Sequence, residues 1–95
     1  MDESDRLFAL LDQLIDRWCD RRALRPLRTL LAAYPPRPRH SDDWVILFGA
    51  IRNLKGLSPT DFTVEERDAV AEAHAVTYQI IRASFPGAAV LDQAG

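Results

Sequence analysis

The 95-residue chain holds two histidines and one cysteine, so zinc or thiol chemistry has to be built around His40, His74 or Cys19. A metal needs three or four ligands converging from suitable spacings. The candidate groups are His40 with Asp42 and Asp43, and His74 with Glu72 and Asp68. Asp42 and Asp43 are accounted for as the acidic first turn of a helix, and Asp68 and Glu72 as a solvated helix face. Neither group is assigned as a metal site. Cys19 falls on the apolar face of the first helix, where a thiol is expected to be buried as a small hydrophobe. A lone cysteine makes no internal disulfide, in keeping with a reducing compartment. The glycines (Gly49, Gly56, Gly87 and Gly95) are scattered, without the spacing of a phosphate-cradling loop or dinucleotide fingerprint. Gly49 is expected to admit close helix packing. No pair of carboxylates is set in apolar surroundings that would split their protonation. The reading is a non-enzyme with no catalytic residue, cofactor or metal.

Recognition is the remaining chemistry, and charge is the first guide to it. Seven arginines (Arg17, Arg21, Arg22, Arg25, Arg28, Arg37 and Arg39) lie between positions 17 and 39, with Asp20 as the only acid among them. Residues 1 to 16 carry five acids against Arg6, and residues 60 to 72 carry five against Arg67. One basic and one acidic surface are therefore expected, although the net charge is only −2. The basic segment suits phosphate contact. Against nucleic acid, the second helix turns apolar toward Leu30, Leu31 and Tyr34 where a recognition helix would be polar, and the protein as a whole is acidic. A regulator that binds nucleic acid through Arg17 to Arg39 is the alternative reading.

Chain length and hydropathy decide which elements position these side chains. Ninety-five residues suffice for one core and not for two. An apolar fraction of 47% is that of a folded globule. The longest apolar run, Trp44 to Ile51, is eight residues, against roughly 20 for a membrane span. The acidic opening, Met1 to Asp5, does not resemble a secretory signal. The expectation is a cytoplasmic protein without membrane association.

Apolar spacing predicts an all-α fold, a compact four-helix bundle of up-and-down type with helices over about 5–21, 23–34, 42–55 and 64–84. The first is expected to start after Ser4 as its cap, with Leu7, Phe8, Leu10, Leu11, Leu14, Ile15, Trp18 and Cys19 filling roughly half its circumference. Pro26, tolerated only in a first turn, places the break before the second helix near 21–23. The second helix carries Leu24, Leu27, Leu30, Leu31 and Tyr34 at helical spacing. Residues 35–40, rich in proline, form an extended connection. The third helix opens at Ser41 and closes near Gly56, with Trp44, Leu47, Phe48, Ile51 and Leu54 as its stripe and Ile46 off it. Thr63 with Glu66 three residues on is a capping box opening the fourth helix, and Phe62 precedes it as a staple. The domain spans 1–85, and residues 86–95 are expected to be a disordered tail.

Trp18 and Trp44 lie mid-stripe and are assigned to the core. Tyr34, Arg37, Arg39, Ile46, Glu72, His74 and Tyr78 fit a four-helix core less easily and are the candidate partner-binding residues.

The segments Arg17-Trp18-Cys19-Asp20-Arg21-Arg22, Leu27-Arg28-Thr29-Leu30-Leu31-Ala32-Ala33-Tyr34-Pro35 and Asp42-Asp43-Trp44 followed by Leu47 resemble stretches of small helical proteins of high-GC bacteria. Some of these are immunity proteins encoded beside polymorphic toxins, and the resemblance extends in layout over residues 4 to 84. It implies a stoichiometric inhibitor whose partner is a cognate toxin enzyme and which does no chemistry itself. Acidic residues of the N-terminus and fourth helix would imitate a nucleic-acid backbone if the target is a nuclease, and the arginine segment would engage an acidic target. A helical adaptor that self-associates through Trp44 to Ile51 is the third reading.

Overall fold

The computed structural model describes residues 3–34 and 37–84. Four α-helices follow one another: α1 (Glu3–Asp20), α2 (Leu24–Leu31), α3 (Ser41–Lys55) and α4 (Val64–Ser84), with a 3₁₀ turn at Pro59–Asp61 before α4. Each helix packs on its neighbours in the ring α1, α2, α3, α4 and back to α1. That ring is the all-α four-helix bundle expected from the apolar spacing, and it leaves α2 diagonal to α4. No helix among the described residues is long and apolar enough to cross a membrane.

The core is built where the stripes meet. Leu7, Leu11, Leu14 and Trp18 of α1 close on Leu47, Ile51 and Leu54 of α3 and on Val70, Ala73 and Ile81 of α4. Each large apolar side chain fully buried in this way contributes about 1.5–3 kcal/mol. Both tryptophans are inside, Trp18 against Phe62 and Trp44 against Phe8, with ring centroids 6.0 Å apart in each pair. Mid-α4, the Thr77 hydroxyl is fully buried and donates to the Ala73 carbonyl at 2.7 Å, which satisfies it within its own helix.

Helix ends depart from expectation in two places, and the break expected near 21–23 is where the chain turns. α1 begins at Glu3, so Ser4 lies inside its first turn, where Glu3 and Asp5 complement the helix dipole. Regular α2 stops at Leu31 rather than Tyr34. Ala33 and Tyr34 both turn their amides back to the Leu30 carbonyl at 3.0 Å, a tightening enforced by the proline that follows. Between α1 and α2 the chain reverses through Arg22, whose φ is +55°. There the Ala23 amide donates to the Trp18 carbonyl (2.8 Å) and the Arg22 amide to that of Cys19 (3.3 Å). This is the paired closure usually made with glycine at the left-handed position. The expected tail, 86–95, lies outside the described residues, as do Pro35 and Pro36 of the connection.

Two side-chain assignments are corrected. Cys19 is exposed, because it sits about 100° round from Trp18, past the edge of the buried face in the final turn of α1. Gly49 does not serve close packing: a Cβ built there meets nothing within 4 Å.

Candidate functional site

At the C-terminal end of α1, charge is used structurally. Arg21 donates from Nε to Glu66 Oε2 (3.0 Å), from Nη2 to Glu66 Oε1, and from Nη2 to the Asp61 carbonyl (2.7 Å). Glu66 is 2% exposed and completes the capping box, its Oε1 accepting from the Thr63 amide and the Thr63 hydroxyl accepting from the Glu66 amide, both at 3.1 Å. Burial alone would raise the Glu66 pKa. Arg21, the Thr63 amide and the neighbouring Trp18 indole N–H outweigh it, and the carboxyl sits below its ordinary value. The indole N–H itself is buried outside hydrogen-bonding geometry. Arg21 is raised in turn, chiefly by its bond to Glu66. Two of the seven clustered arginines thus reach acids near the start of α4, Arg21 directly and Arg25 at 3.8 Å from Asp61.

The groups considered for metal chemistry do other work. Asp43 Oδ2 accepts from the backbone amides of Arg39 (3.2 Å) and His40 (3.4 Å), holding the opening turn of α3. Among the described residues no three of His, Cys, Asp and Glu converge as a metal site would require.

The candidate partner-binding residues separate into different surroundings rather than one patch. Tyr34 is 2% exposed, stacked near Phe8, with its hydroxyl donating to Asp12 Oδ1 at 2.8 Å. It is a core residue, and its assignment to a contact surface is corrected, because the end of α2 turns the ring inward. Burial first, then the Asp12 bond, raises its phenol pKa. Arg37 is exposed with its guanidinium 4.7 Å from the centre of the Phe8 ring, a cation–π contact. Arg39 is exposed at the entry to α3. Ile46 is 57% exposed on α3. Glu72 pairs with Arg6 across the α1–α4 seam. His74 and Tyr78 are half-buried against Phe48, at 4.9 and 6.2 Å between ring centres, and Arg82 lies over Tyr78.

A surface that sequence reasoning missed lies on α2. Leu24 is 62% and Leu31 45% exposed. With Leu27, Arg28 and Ala32 they line an open depression of about 470 Å³. α2 faces inward through Pro26 and Leu30. Leu24 and Leu31, seven residues apart, share a face about 130° away. A signal was present: Leu24 through Tyr34 sweep an apolar arc too wide for one short helix to bury against its neighbours. Arg25 stands beside this face, Arg28 within it and Arg22 just before the helix. Neither Arg22 nor Arg28 forms an ion pair among the described residues. Glu3, Asp5 and Glu72 with Arg6 rim a separate depression of about 400 Å³ between α1 and α4.

The arrangement can bind. A row of solvated leucines set among guanidinium groups combines apolar area with an electrostatic preference, the anatomy of a protein contact surface. Comparison with protein-family models, curated proteins and solved structures finds no match to the chain.

Proposed function

We propose that this chain is a non-catalytic protein-binding domain, a cytoplasmic inhibitor of immunity or antitoxin type that neutralises a bacterial toxin enzyme by stoichiometric binding. The observation that carries the binding role is the outward leucine row of α2. A folded domain that exposes Leu24 and Leu31 while burying every other leucine of its helices at least in part keeps apolar area for something else. The bundle beneath supplies rigidity, which limits the entropy cost of association. The toxin assignment rests on the resemblance of the α1, α2 and α3 segments to small immunity proteins, and it fits a molecule whose task is to cover a surface.

The test is capture from the native host with the full chain as bait, followed by co-expression of the captured enzyme with and without this protein. A partner recovered at a fixed molar ratio, whose toxicity is relieved by co-expression, supports the proposal. Recovery of no protein at fixed ratio, or a recovered enzyme that stays fully toxic, rejects it. Self-association through Trp44 to Ile51 is not favoured, because Trp44, Leu47, Phe48 and Ile51 are spent in the core and only Ile46 of that run is well exposed.

A further inference from the structure

We infer that the outward face of α2 docks an acidic amphipathic helix of the partner, lying along Leu24, Leu27 and Leu31 with a carboxylate on Arg28. The inference rests on the protein-binding reading and adds the chemistry of what is bound.

Three observations select this occupant. First, the apolar row is helical in spacing: Leu24, Leu27 and Leu31 follow the i, i+3, i+7 pattern that a second helix meets with a matching row of its own. Eight residues make a ridge about 12 Å long, the span of two turns in a partner helix. Second, α2 contains two arginines and no acid, and of the two Arg25 already faces Asp61 at 3.8 Å. Arg28 sits inside the row with no ion pair among the described residues, so an apolar partner would leave a guanidinium desolvated and unmatched, whereas a carboxylate on the facing helix would neutralise it. Third, Leu24, Leu27, Arg28, Leu31 and Ala32 line a shallow, open depression, along which the side of a helix can lie.

The same observations disfavour other occupants. A second copy packed face to face would set Arg25 and Arg28 against the same arginines across a twofold axis, where like charges repel. A nucleic acid would satisfy the arginines and leave Leu24 and Leu31 against a phosphate backbone with nothing apolar to meet. An anionic lipid surface is flat, and two exposed leucines on an eight-residue helix give it little to hold.

The test uses the full chain and a fluorescent peptide of about four helical turns with leucines at i, i+3 and i+7 and glutamates on its flanks. Binding is read by anisotropy. Controls are a permuted peptide of identical composition, a single-stranded oligonucleotide of similar charge and anionic vesicles. Saturable binding is expected, weakened about tenfold or more by permutation and by Leu31→Glu, and weakened by added salt. Leu24→Glu and Leu31→Glu change exposed positions, and circular dichroism verifies that each variant folds. Equal affinity for the permuted peptide, tighter binding to the oligonucleotide or the vesicles, or no binding overturns the inference. The double variant Leu24→Glu/Leu31→Glu separates the two proposals. If it captures the natural partner as well as the unaltered protein does, the α2 site is wrong and the inhibitor reading survives. If the unaltered protein captures none, the inhibitor reading is what fails.

Discussion

Arg21, at the end of α1, holds the buried carboxylate of Glu66 in the first turn of α4, 45 residues away. The same carboxylate accepts from the Thr63 amide, so one side chain caps a helix and fastens it to another. Removing Arg21 strands the Glu66 carboxylate with little access to water, and removing Glu66 takes away both the cap and the fastening to Arg21. Glu66→Ala is expected to cost about 2–4 kcal/mol, and Arg21→Ala slightly less. Urea denaturation followed by tryptophan fluorescence measures both. A cost below about 0.5 kcal/mol for Glu66→Ala would place it with ordinary surface positions.

Acid sensitivity follows from the same pair. The folded pKa of Glu66 lies below its ordinary 4.5. Its stabilisation is therefore complete above the unfolded value and is lost as pH falls through the folded one. In Arg21→Ala the opposing burial dominates, the folded pKa rises, and the acid unfolding midpoint moves to higher pH. Acid titrations of the two proteins by circular dichroism test the direction, and coincident midpoints would contradict it.

Tyr34 gives the alkaline counterpart. Burial and the bond to Asp12 keep its phenol protonated beyond the ordinary 10.0. A raised folded pKa contributes stability that is present below the unfolded value and disappears as pH climbs through the folded one. One of the two tyrosines should thus ionise late in the phenolate absorbance titration, and Tyr34→Phe should remove that late component. The loss of the hydrogen bond should cost about 0.5–1.5 kcal/mol.

Gly49 and Arg22 mark sites where stability can be added. An alanine Cβ at Gly49 meets nothing within 4 Å, so Gly49→Ala should stabilise α3 by about 0.5–1 kcal/mol through backbone entropy and helix propensity. A shift to lower stability in thermal unfolding would contradict that.

At Arg22 the positive φ of 55° costs a residue bearing a Cβ about 1 kcal/mol that glycine avoids. Arg22→Gly should raise the midpoint of thermal unfolding, and an unchanged or lower midpoint would contradict it.

How far the sequence was legible depends on the range of the interaction that decides each feature. The capping box of Thr63 and Glu66, the proline constraint at Pro26 and the stripe from Leu7 to Trp18 are set within a few residues, and the fold follows from them. That Glu66 also receives Arg21 depends on α1 and α4 being adjacent, a fact no local pattern contains. Cys19 and Tyr34 failed at element ends, where one turn more or less rotates a side chain between core and solvent. Leu24 and Leu31 failed for a different reason. An apolar residue on a predicted amphipathic helix is assigned inward, and only the finite width of a buried face argues otherwise. The separately chosen candidates Ile46, Glu72, His74 and Tyr78 share no single surface, because α3 and α4 present them to different neighbours.

Arg22 and Arg28 stand at α2 without an ion pair among the described residues, while Glu3, Asp5 and Glu72 rim the α1–α4 seam, so a nearly neutral molecule carries its charge unevenly. Such a body rotates in the field of an approaching charged surface before touching it, which brings one side forward in most encounters. Ionic strength would then act on how quickly a complex forms and leave its lifetime nearly unchanged.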